Sequence, residues 1–408
     1  MTHADVLVVG GGILGCSIAW HLTQRLPQAR ILVLEHQPAL ATQATSQAAA
    51  LLTRARPNEE VMPLVARTYA AIDELADILE QPLPLHRNGT LHVAASKAAI
   101  REQQGLADVC ATHGLRAETL DPTEAARTRP WLDPEAVLSG LMMPDDGFID
   151  PYLLADAYAQ AARRSGARFH FGIAVDAVLA DGDHVLGITT PEGALHAPTI
   201  VIATGAWANR LAAPLGAGLP MAPVRSQYWL TQTDPLFTRD HPAVLLPDAR
   251  AYSRPEVGGL LFGLREQHSV SVDPRLLPAD TTGFRFDDDP DGWHSLEEGA
   301  PSLRRLFPAL DYVPVRRHVT GFSTYTPDGQ FVIGETPGLR GLFVASGCCG
   351  AGIAASGGFG EALASLVAGE APPFTISAFR PERFGPIDPF DPAFRARCAA
   401  ARSRKTTG

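Results

Sequence analysis

The chain lacks what several protein classes require. It carries 34 Lys and Arg against 44 Asp and Glu, a formal charge of −10, so it offers no concentrated basic face for nucleic acid. It has only five cysteines, Cys16, Cys110, Cys348, Cys349 and Cys398, with no CxxC pair and no metal-like spacing. No metal site is expected, and the odd count points to reduced thiols in a cytoplasmic setting. No apolar run reaches the roughly 20 residues that cross a bilayer. "MTHADVLVVG" has no Lys or Arg before its apolar run, so neither a membrane span nor a signal peptide is expected. The basic stretch "ARCAAARSRKTTG" has no hydrophobic face of useful length and reads as a frayed tail with no function.

What is present is apolar residues and glycine. With 408 residues, 46% of them hydrophobic, the chain can bury a large core as two domains or one composite unit. Among its 37 glycines, two clusters follow apolar runs. The first is "VLVVGGGILGCSIAWHL", where "DVLVV" has the continuous apolar character of a strand buried on both faces. Gly10, Gly12 and Gly15 make GxGxxG, and "ILVLE" supplies a second strand ending at Glu35. This is the βαβ unit that binds dinucleotides: Gly10 allows the tight turn, Gly12 lets backbone approach a pyrophosphate, and Gly15 lets helix pack on strand. Glu35 is placed to accept hydrogen bonds from a ribose 2′-hydroxyl, which disfavours NADP. The motif alone does not separate FAD from NAD.

The second cluster, "SGCCGAGIAASGG", formally matches GxGxxA at Gly350, Gly352 and Ala355. The following "GEAPPFTISAFRPERF" contains no apolar run for a second parallel strand, so no second dinucleotide site is expected. A glycine-rich helix start still presents N–H groups and a positive dipole end, suited to the N1/C2 carbonyl edge of a reduced flavin. A third apolar run, "PTIVIATGAW", ends in Ala203, Thr204 and Gly205, and ligands gather at such carboxyl ends of strands. One extended ligand gripped at both ends explains all three segments.

The blocks "VVGGGILGCSIAWHL", "LVLEHQPALATQATSQAAALL", "TIVIATGAWANRL", "YSRPEVGGLLFGLRE" and "TPDGQFVIGETPGLRGLFVASG" resemble, in order, the D-amino-acid oxidase superfamily of FAD-dependent amine oxidoreductases, from about residue 4 to Phe384. The resemblance implies a discontinuous α/β Rossmann-like FAD domain from residues 1–85, 145–215 and 320–384. It also implies an α+β substrate domain from 86–144 and 216–319, built on an antiparallel sheet, with 385–408 as a C-terminal tail. It implies non-covalent FAD held by Gly10, Gly12, Ile13, Leu14 and Gly15, by Glu35 and His36, and by Thr45, Ser46, Gln47, Ala48, Ala49 and Leu51. Val175, Ala203, Gly205 and Trp207, with Gly350, Gly352, Ile353 and Ala354 at the ring, complete the implied set.

Departures from that family bear on substrate. The register of a carboxylate-clamping arginine holds Ser323, and registers of two lysines hold Ala354 and Leu261. The latter lysine promotes reaction of reduced flavin with oxygen, so a dehydrogenase is expected rather than an oxidase. A cysteine used elsewhere for covalent attachment corresponds to Gly321. Ser323 and Tyr325 lie two apart on an apparent strand and so share a face. Arg54, Arg56 and Arg254, with Tyr252, remain as candidates to meet a substrate. The expected reaction is oxidation of a small primary or secondary amine or amino acid to an imine by hydride transfer to flavin N5. Imine hydrolysis follows, and a carrier or oxygen takes the electrons. The alternatives are a flavin-bearing non-catalytic or assembly subunit and an NAD-dependent dehydrogenase.

Overall fold

The computed structural model describes residues 3–127 and 129–406. Strand β1 (Val6–Val9) is fully buried and runs parallel to β2 (Ile31–Glu35), joined to it by helix α1 (Ile13–Arg25). The six-stranded sheet continues outward from β2 to Arg168–Phe171, and from β1 through Thr199–Ile202 and Leu342–Ser346 to Val332–Glu335. The last of these is antiparallel to its neighbour and the others are parallel. Val9 pairs with both Leu34 and Ile202. This register brings Gly10, Glu35 and Ala203 to one edge.

The second large sheet has eight strands, among them Ala222–Thr231, Ala251–Glu256, Gly259–Leu264 and Val315–Tyr325. It differs from the expected antiparallel sheet at one joint, where Thr90–Ala94 runs parallel to Ala243–Leu246. Strand Val315–Tyr325 belongs to this sheet yet crosses the boundary expected at residue 320. It carries the site residues at its end down to the first sheet.

Helix Pro151–Arg164 starts where the sequence marks it, with the Asp150 carboxylate accepting from the N–H groups of Tyr152 and Leu153. The same Asp–Pro signal recurs at Asp391–Pro392, and there the expectation of a frayed tail is corrected. Pro392–Arg404 is a helix capped by Asp391, and Phe394, Cys398 and Arg402 fall four residues apart on its buried face. That face packs on Ala222, Val224, Tyr325 and Cys349. The buried arginine interrupts the apolar stripe in the sequence, which is why the stripe looks too short there. Among the described residues, no helix is long and apolar enough to cross a membrane and no cluster of three acids, histidines or cysteines is placed to hold a metal.

Candidate active site

At the carboxyl edge of the parallel sheet, Gly10 has φ +109, and a Cβ there would lie 2.6 Å from the Ala203 carbonyl oxygen. A Cβ on Gly15 would collide with the Gly10 carbonyl, so Gly15 serves helix–strand packing and does not line the cavity. The Thr45 hydroxyl accepts from the Ile13 N–H at 3.0 Å, tying the downstream segment to the start of α1. Glu35 accepts from the Gly11 N–H at 2.6 Å through one oxygen and from the Gln37 N–H at 2.8 Å through the other. The carboxylate is therefore fixed before any ligand arrives, with lone pairs left over. Val175 sits in a loop and lines the cavity, as do His36, Leu51 and Trp207; the Trp207 indole donates to the Pro278 carbonyl. Ser46 turns away, its hydroxyl donating to the carbonyls of Thr42 and Gln43.

The glycine-rich stretch after Leu342–Ser346 does two things. Gly347, Cys349 and Gly350 have left-handed backbone that forms the turn. Farther on, a Cβ at Gly358 would collide with Leu64 of α2 (Met62–Leu79), and one at Gly360 with Ser17 and His21 of α1, so these glycines let helix Ser356–Val367 approach both helices. Ser323 and Thr324 organise the turn: the Ser323 hydroxyl accepts from the Gly350 N–H at 3.2 Å, and Thr324 accepts from the N–H groups of Cys348 and Cys349. Burial pushes the Cys348 thiol up to about 12, so it stays protonated and packs rather than reacts.

One continuous cavity of about 480 Å³ runs from the first turn past Thr45, Gln47, Ala48 and Ala49 to the second turn, where Gly350, Gly352, Ile353 and Ala354 line it. Beyond them its wall holds Ser323, Tyr252, Tyr325 and four cations, Arg56, Arg265, Arg402 and Lys405. Glu35, at the opposite end, is the one acid among the described residues of this lining. Burial raises the Tyr325 phenol to about 12 and lowers Arg56 to about 10. The phenol is therefore a hydrogen-bond donor at neutral pH and the guanidinium keeps its charge.

Two sequence candidates lie elsewhere. Arg54 does not line the cavity; its guanidinium stacks 3.7 Å over the Tyr69 ring and donates to the Asp145 carbonyl. Arg254 faces an adjoining cavity, pairs with Glu256, and donates to the Ala49 carbonyl at 2.7 Å, so it holds the segment that lines the first cavity. Arg265, Arg402 and Lys405 were not legible as site residues. The first follows strand Gly259–Leu264, and the other two sit in the basic terminal stretch, whose only sequence signal is the Asp391–Pro392 helix start.

The comparisons decide the family. The model of the FAD dependent oxidoreductase family matches residues 5–366. The chain belongs to that family. It is 29% identical over 391 residues to mitochondrial dimethylglycine dehydrogenase of Homo sapiens, covering 94% of this chain and 44% of the relative; the chain thus spans less than half of that protein. It is 29% identical over 394 residues to glycine oxidase of Geobacillus kaustophilus (strain HTA426), covering 93% and 97%. The crystal structure of the Geobacillus kaustophilus enzyme superposes with a TM-score of 0.78 at 25% identity, over 94% of this chain and 99% of that one. L-proline dehydrogenase of P. horikoshii shares the fold, with a TM-score of 0.81 at 22% identity over 94% and 98%.

The cavity fits FAD, the cofactor of this family. The Gln47 amide oxygen and the Thr204 hydroxyl are buried without a partner and line it, and buried polar atoms of that kind call for a ligand to satisfy them. The first turn and Glu35 would hold the dinucleotide half, and Gln47, Ala48, Ala49 and the turn at Gly350–Ala354 the ring half.

Proposed function

We propose that this FAD-dependent oxidoreductase oxidises a small amine bearing a carboxylate, a primary or secondary amino acid, to the imine, which water then hydrolyses. One observation carries the reading: the cavity that fits FAD ends in a wall that presents Arg56, Arg265, Arg402 and Lys405 with the phenols of Tyr252 and Tyr325, and no acid lines that end of it among the described residues. A carboxylate is the group that neutralises such a wall. When bound, FAD supplies the acceptor for the hydride leaving the substrate's α-carbon. The chain's own residues bind and orient. Tyr252 and Tyr325 donate hydrogen bonds, the cations fix the carboxylate, and the buried walls exclude water. With no carboxylate base in this part of the lining, the amine enters the reaction neutral.

We assign the electrons to a carrier rather than to oxygen. Leu261, 1% exposed, presents an apolar side chain on strand Gly259–Leu264 next to the adjoining cavity, where a cation would assist oxygen. A reducing cytoplasm suits the five free cysteines. The test is turnover of a panel of amino acids and their decarboxylated analogues with a dye acceptor and with air. Preference for the carboxylates and for the dye is expected. Equal turnover of the decarboxylated analogues overturns the substrate reading, rapid peroxide formation overturns the acceptor reading, and no turnover of any amine favours an assembly subunit.

A further inference from the structure

We propose that Lys405, carried to the cavity by the C-terminal segment, is a specificity-determining residue that binds the carboxylate of the substrate. The inference rests on the reading above and adds the residue that reads the acid. The helix Pro392–Arg404 is anchored by Phe394 and Cys398, and Arg402 is fixed by Ser269 at 3.0 Å and the Leu264 carbonyl at 3.4 Å. Arg402 also meets Glu266 at 3.5 Å, but that carboxylate is engaged more closely by Arg225 at 2.8 Å and Gln227 at 2.7 Å. Just past the helix, the Thr406 carbonyl accepts from Arg265 at 3.1 Å, pinning the chain on the far side of Lys405. Held from both sides, the Lys405 ammonium donates to the Cys349 carbonyl at 2.8 Å, within the turn that faces Ser323 and Tyr325. One carbonyl uses one of its three donors. Among the described residues no acid pairs with it, and it lines the cavity.

The groups facing it are Arg265 after Gly259–Leu264, Arg56 after Leu51–Leu52, Arg402 on its own helix, Cys349 on the turn and Tyr325 on Val315–Tyr325. Burial, then the repulsion of Arg265 and Arg56, pulls the ammonium down from 10.5 to about 7. The opposite charge of a bound carboxylate stabilises the ammonium and raises its pKa, so binding takes up a proton when the pH lies above 7 and weakens as the pH rises further. Asp146, buried beside Arg56, also titrates near 7, so the comparison with a lysine-free variant isolates Lys405.

The test uses the FAD-loaded protein and propionate, a carboxylate with no amine to oxidise. Its Kd is read by calorimetry between pH 6 and pH 9. The wild type is expected to bind about tenfold or more tighter at pH 6.5 than Lys405→Met and to lose affinity toward pH 9. Lys405→Met should show a flatter profile, and Lys405→Arg should retain affinity at pH 9, with FAD content unchanged in both. For a turned-over amino acid, Lys405→Met should raise KM far more than it lowers kcat. Wild-type protein that does not bind propionate, or Lys405→Met that binds it with wild-type affinity and pH dependence, overturns the proposal. Lysine-dependent propionate binding without turnover of any amine leaves it standing and removes the catalytic reading instead.

Discussion

At the residue scale, single atoms at the two ends of the cavity carry separable consequences. Glu35 meets a ribose hydroxyl by expectation and two backbone N–H groups by observation, at 2.6 and 2.8 Å. Hydrogen bonds to a charged group contribute about 1.5 to 3 kcal/mol each. Glu35→Ala should therefore raise the Kd for FAD by tenfold or more, and it should also lower the melting temperature of FAD-free protein. An unchanged melting temperature would mean that the two backbone bonds contribute nothing. Asp146 gives a pH signature of its own. Burial lifts its folded pKa from 3.8 to about 7, so between those values the folded state holds a proton that the unfolded state has lost, and stability falls as the pH rises through that window. Asp146→Asn retains an oxygen for the Arg54 N–H, bonded at 2.8 Å, and removes the titration. Urea unfolding at a series of pH values should show the decline flattened by close to one proton in the variant, and an unaltered slope counts against the assignment.

At the scale of elements, the close approach of helix Ser356–Val367 to α1 and α2 fixes the turn that precedes it. Gly358 has no room for a side chain, because its Cβ would fall on the Cα and Cβ of Leu64, and backbone cannot yield as a flexible side chain does. Overpacking of this kind costs typically 1 to 3 kcal/mol and more where backbone must move. Gly358→Val should lower the melting temperature by several degrees and weaken FAD, since the displaced helix drags Gly350–Ala354 with it. Gly105, with nothing within 4 Å of its Cβ position, provides the contrast: Gly105→Ala lies in helix Lys97–Thr112 and should stabilise slightly by helix propensity. Equal effects of the two substitutions on FAD affinity would show that helix packing and ring binding are not coupled.

At the scale of the whole molecule, two sheets and one terminal helix meet around the cavity, and the expectation of a non-covalent flavin rests on the cysteines. Gly321 stands at the register of the attaching cysteine, and a Cβ on it would collide with the Gln47 amide. The thiols of Cys348 and Cys349 are held protonated by burial. Acid precipitation should release the flavin to the supernatant, and a yellow pellet would contradict this. Because the terminal helix packs on Ala222, Val224, Tyr325 and Cys349, it brings Arg402 and Lys405 to the lining of the cavity.

The sequence by itself determined the parallel sheet and the first glycine turn with Glu35 at its edge. Each of these rests on local physics: continuous apolar runs for buried strands, glycines where backbone must turn or approach closely, an acid at a fixed spacing after them. Only the tertiary structure decided which cations line the far end of the cavity. Arg54 and Arg56 are two residues apart, yet one stacks on Tyr69 outside the cavity and the other lines it. Lys405 and Arg402 are remote in sequence from every other group at the site, and their place depends on a helix whose apolar stripe a buried arginine interrupts. Local pattern places a residue on a face of its own element; which faces meet is set by the packing of elements far apart along the chain. The cationic wall is assembled from three separate segments, and only the folded core brings them together.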